Sequence, residues 1–85
     1  MMTITKVNMI TRVAEDTNTI QVLMIDTCTR QFVYDKKSNS INEIYDVTRI
    51  GDKTYYNPLS LDQVDIKDLV TVLHKIKTYR ASRHE

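Results

Sequence analysis

From Thr3 to Val13 the apolar residues Val7, Met9 and Val13 fall on odd positions while Lys6, Asn8 and Arg12 fall on even ones. A period of two puts alternate side chains on one face of a strand. Ile4 and Ile10 blur the alternation. The polar cluster Glu15-Asp16-Thr17-Asn18 predicts a turn, and Thr19 to Asp26 predicts a second strand that closes a hairpin on the first. In that second strand Ile20, Val22 and Met24 share one face, while Leu23 and Ile25 share the other. Two apolar faces on one strand require cover on both sides of the sheet.

A third strand is predicted from about Arg30 to Asp35, with Phe32 and Tyr34 on one face. The polar run Lys36-Lys37-Ser38-Asn39-Ser40 follows as a loop. The fourth strand, about Ile41 to Ile50, sets Ile41, Tyr45 and Val47 against Ile44 and Ile50. Gly51-Asp52 lies between two strand-like runs, and glycine at the first central position suits a type II′ hairpin turn. A fifth strand, Lys53 to Asn57, is expected to stop at Pro58, which has no N–H to give a ladder.

The period then changes. Ser60 and Gln63 have capping-box spacing, and Leu59 and Val64 stand at the staple positions around them, so a helix is predicted over about 61–81, with Asp65 as a competing cap. Ile66, Leu69, Val70, Leu73 and Ile76 recur at helical spacings and are expected to form its buried face. Asp62, Asp65 and Asp68 at its start and Lys75, Lys77, Arg80 and Arg83 near its end complement the helix dipole. The chain is therefore predicted to be one α+β domain spanning 1–85. It comprises a five-stranded antiparallel β-meander over about 3–57 and one C-terminal amphipathic α-helix packed on one sheet face.

Composition agrees with that division. Thr, Ile and Val supply 28 of the 85 residues, and such β-branched side chains favour strands. One Gly and one Pro exclude collagen-like and low-complexity chains. Twelve Lys and Arg against eleven Asp and Glu leave a net charge of +1, so no bulk field draws the chain to nucleic acid or anionic lipid. The longest apolar run, Val22-Leu23-Met24-Ile25, is too short to span a bilayer, and Met1 to Arg12 lacks the apolar core of a secretion signal. With one cysteine, Cys28, and therefore no internal disulfide, a cytoplasmic location without membrane contact is expected.

The chemistry-bearing residues argue against catalysis. A lone glycine excludes a glycine-rich phosphate cradle, and His74 and His84 are ten apart with no ligand pair at metal-binding spacing. Asp26, Asp35, Asp46 and Asp52 fall at strand ends and turns, where short carboxylates cap backbone. No enzyme, cofactor or metal is expected. Binding has more support. Arg30, Phe32, Tyr34 and Lys36 alternate along one strand face, Lys37 follows, and Arg49 and Lys53 lie nearby in the meander. Stacking aromatics among cations make the platform a single-stranded nucleic-acid binder needs, with Arg30, Tyr34, Lys36, Lys37 and Arg49 as the candidate contacts. The competing assignment places Phe32 and Tyr34, with Tyr45 or Tyr55, in the core beneath the helix. Strands followed by a helix over about 30–80, with Pro58-Leu59-Ser60-Leu61 leading into that helix, resemble the whirly and transcriptional-coactivator group of single-strand-binding dimers. The resemblance is one of element order, and no motif carries over residue by residue.

The leading expectation is a small regulatory protein that binds another protein. Residues 15–26 carry −3, 58–68 carry −2 and 69–85 carry +3, a segregation that can steer a partner. Richness in Ile, Asn, Lys, Tyr and Thr without catalytic motifs resembles the accessory proteins of bacteriophages with AT-rich genomes, which implies a host protein as partner. One helix covers one sheet face, so the second face of strand two is expected to be covered by sheet curvature or by another copy. Leu23 and Ile25 are the candidate self-association residues of a homodimer.

Overall fold

The computed structural model describes residues 10–25 and 28–82. Five strands, β1 (Ile10–Glu15), β2 (Thr19–Ile25), β3 (Thr29–Asp35), β4 (Ser40–Ile50) and β5 (Lys53–Leu59), form one antiparallel sheet in the order β1-β2-β3-β4-β5. A single 3-10 turn, Leu61–Gln63, leads to helix α1 (Ile66–Ser82), which packs on one sheet face. The α+β meander-then-helix architecture is thus the one expected. Residues 3–9 of the first expected strand lie outside the described residues, as does Asp26.

Each turn has a local cause. Asp16 Oδ1 accepts the backbone N–H of Asn18 at 3.0 Å and of Thr19 at 2.8 Å, closing the β1–β2 connection as an Asx turn. These donors hold the Asp16 carboxyl below its ordinary 3.8. Between β3 and β4, Asp35 Oδ2 accepts the Ser38 N–H at 2.8 Å, and Asn39 takes a left-handed φ of 58°, which asparagine tolerates better than most residues. Gly51 has φ 62° and Asp52 does not share that region, the signature of the expected type II′ turn.

Register fills the core. Phe32 stands opposite Val22 on one side and Ile44 on the other, and Ile20 stands opposite Tyr34. These residues and Met24 meet Val64, Val72 and Ile76 from above, with Val13, Ile41, Leu59, Leu69 and Tyr79 around the margin. Tyr34 donates its hydroxyl proton to Asn39 Oδ1, and Arg80 lies over its ring at 5.8 Å. At the other end of the helix Arg30 joins sheet to helix, with Nε 3.6 Å from Asp46 and Nη1 3.9 Å from Asp68.

Three boundaries and faces differ from expectation. Strand β5 continues through Pro58, paired with Tyr45, to Leu59. It is an edge strand, so a proline without N–H costs the ladder nothing on its outer side. The helix does not start at Leu61. Ser60 and Gln63 do form the capping box, but it closes only the 3-10 turn, and Val64 is extended at φ −112°, ψ 135°. Asp65 then caps α1, accepting the Lys67 N–H at 3.1 Å through Oδ1 and the Asp68 N–H at 2.9 Å through its carbonyl. Finally, the buried stripe is Leu69, Val72, Ile76 and Tyr79, whereas the expected core residues Ile66, Val70 and Leu73 are exposed. Two apolar stripes share this helix, and its angle of approach selects between them.

Candidate interaction surfaces on the open sheet face and the outer helix

Pairing places Arg12, Gln21, Leu23, Gln31, Val33, Tyr45, Val47, Arg49 and Tyr56 on the sheet face opposite the helix. Among the described residues no element lies over this face. The sheet nevertheless curls toward it. Arg12 and Ala14 of β1, Leu23 of β2, Gln31 of β3 and Tyr56 of β5 line one cavity of about 380 Å³, although β1 and β5 are opposite edges. Strand twist accumulated over five strands produces such coiling. Curvature half-buries Leu23, Ile25, Val33, Tyr45 and Val47.

Within the groove Gln31 Nε2 donates to Gln21 Oε1 at 3.0 Å. Tyr45 and Tyr56 meet edge to face with centroids 6.2 Å apart. The Tyr45 hydroxyl donates to Glu43 Oε1 at 2.7 Å, a bond that raises its pKa above the ordinary 10.0. The surface is therefore amphipathic, with an aliphatic and amide floor, two tyrosines and the cations Arg12 and Arg49 toward the edges.

The five candidate nucleic-acid contacts do not share one surface. Arg30 and Tyr34 face the helix, Arg30 held between Asp46 and Asp68 and Tyr34 buried in the core. Lys36 pairs with Glu15 at 2.6 Å and donates to the Asp16 carbonyl at 2.8 Å. Lys37 is exposed in the β3–β4 turn, and Arg49 projects from the open face of β4. The single mixed platform also fails on β5, because Lys53 and Tyr55 pair with Ile50 and Thr48 on the helix side. Parity grouped Ile41 with Tyr45 and Val47, but the bulge opposite Val33 and Tyr34 turns Ile41 to the helix side, where it pairs with Tyr34 and packs on the core with Ile44. Tyr56, Arg12 and Gln31 carried no sequence signal of their own. Adjacent tyrosines at 55 and 56 offer either face, and only register decides between them.

Of the self-association candidates, Leu23 lies in the groove floor and Ile25 at the end of β2 on the same face. On the other side of the molecule Leu61, Ile66, Val70 and Leu73 form a second exposed apolar region. Cys28 is exposed. Among the described residues no three His, Cys, Asp or Glu side chains gather as a metal-ligand set, and no helix is long and apolar enough to cross a membrane. No protein-family model matches the chain, and no curated protein or solved structure matches it either.

Proposed function

We propose that the protein is a non-enzymatic interaction protein that self-associates as a homodimer and docks a segment of a partner protein on the concave face of its sheet. The observation that carries this reading is the groove around Leu23, Gln31 and Tyr56, a contiguous, partly apolar concavity on a chain too small to leave such surface idle. Its tyrosines and cations are the residue types that anchor protein interfaces. The composition suits an accessory role of the bacteriophage kind, with a host protein as partner.

Selection of peptides from a displayed random library on the purified protein tests the reading. Peptides that bind wild type should lose at least tenfold affinity to Leu23→Asp, and an affinity unchanged by that substitution would end the proposal. A second reading rests on half-buried Tyr45 and exposed Tyr56, which meet edge to face on the sheet face that also carries Arg12 and Arg49 and could stack on and neutralise a single strand. Under it, anisotropy of labelled oligo-dT shows binding that weakens steeply between about 50 and 200 mM salt. Tyr56→Ala would then cost about 1–3 kcal/mol of affinity.

A further inference from the structure

The fold uses only one of the two apolar stripes of α1. Leu69, Val72, Ile76 and Tyr79 face the sheet, while Ile66, Val70 and Leu73 remain 73%, 59% and 42% exposed. From Ile66 to Val70, Leu73 and Lys77 the spacings are four, three and four, the a/d spacing of a helix–helix seam. At 3.6 residues per turn these four side chains fall within an arc of about 60°. Leu73 also borders a cavity of about 310 Å³ between the helix flank and the start of β4, lined by Leu61, Leu69, Ile41 and the Asn39–Ser40 turn. The seam therefore continues into an apolar groove. Five strands at about 4.8 Å spacing make a sheet roughly twice as wide as one helix, so α1 over β2 and β3 leaves the β4 side of the covered face to be filled.

We infer that this seam receives the same seam of a second copy, the two α1 helices lying antiparallel about a twofold axis near Val70 and Leu73. The inference rests on the self-association reading above and moves the contact from the sheet to the helix. Charge selects the occupant and its direction. Asp62 stands in the 3-10 turn before the helix, beside Leu61, and Lys77 stands near the helix end on the seam itself, in no ion pair with another described residue. In the antiparallel arrangement Lys77 of each copy comes opposite Ile66 of the other, at the end where that copy's Asp62 stands. A parallel arrangement would instead stack aspartate on aspartate and lysine on lysine. A twofold axis requires a self-complementary surface, and an acidic start joined to a basic end by an apolar stripe is one. The concave sheet face is less suited to a copy of itself, because two apposed hollows touch at their rims and leave the middle unfilled.

Sedimentation equilibrium of the full chain at micromolar concentration tests the inference. The wild type should be dimeric, Val70→Asp should raise the dissociation constant at least a hundredfold, and Lys77→Glu should raise it about tenfold. Val70 is 59% exposed and outside the core cluster, so a native circular dichroism spectrum is expected for Val70→Asp, and Lys77→Glu supplies the measurement if that variant misfolds. A monomeric wild type would overturn both the seam and the self-association reading. A dimer indifferent to Val70→Asp and Lys77→Glu, but dissociated by Leu23→Asp, would overturn the seam alone and return the contact to the sheet.

Discussion

On the helix side of the sheet Ile20, Val22 and Phe32 are completely buried, whereas on the other side Leu23, Val33 and Tyr45 stop at half-burial. The same strands supply both sets, so β-propensity cannot account for the difference. A rigid helix can interdigitate with one face, and its Val72 and Ile76 exclude water from Phe32. The other face has only its own curvature, which brings β1 and Tyr56 around a shared hollow without closing it. One face is thus spent on stability, and the other keeps apolar surface open to solvent.

Substitutions at paired positions should separate the two faces. Phe32→Ala on the covered face is expected to cost about 3–5 kcal/mol, seen as a large drop in the urea midpoint. The neighbours Val22 and Leu23 make a sharper contrast. Val22→Asp would bury an unpaired carboxylate and abolish the cooperative transition, while Leu23→Asp should cost only about 1 kcal/mol, the span of strand propensity, and act on binding instead. Equal destabilisation by the two aspartates would mean that the open face is also core. Smaller still, Tyr56→Ala should lose about 0.5–1.5 kcal/mol with its edge-to-face partner Tyr45.

The smallest effect concerns the turn that holds the register separating the faces. Hydrogen bonds from Thr19 and Asn18 lower the Asp16 carboxyl, and those from Ser38 lower Asp35. A group depressed in the folded state stabilises it above the ordinary value of 3.8, and that contribution disappears as pH falls through the lower folded value. Carboxyl carbon titrations by NMR should place both midpoints below 3.8. A midpoint at or above that value would show that the turn bonds are not kept in solution.

Much of this architecture was legible in the chain because its signals are local. Alternation along β2, the polar run at Lys36–Ser40, Gly51 at a II′ turn and the capping residues before the helix each act within a few residues. Even the competition between Ser60 and Asp65 was visible, although only the structure shows the first closing a 3-10 turn and the second starting α1. The candidate surfaces were less legible. Arg30 and Tyr34 alternate as a binding strand would, yet the same parity serves a core strand that packs beneath a helix.

Local periodicity by itself determined that five strands precede one helix, and that β2 carries more apolar surface than one contact can cover; that α1 does so too emerged only from its packing. Which surface is used was decided by tertiary structure. A strand's two faces and a helix's two stripes are nearly equivalent until register, twist and crossing angle set them against neighbours distant in sequence. That choice put Tyr34 in the core and Tyr56 in the groove, and it left Ile66, Val70 and Leu73 outside.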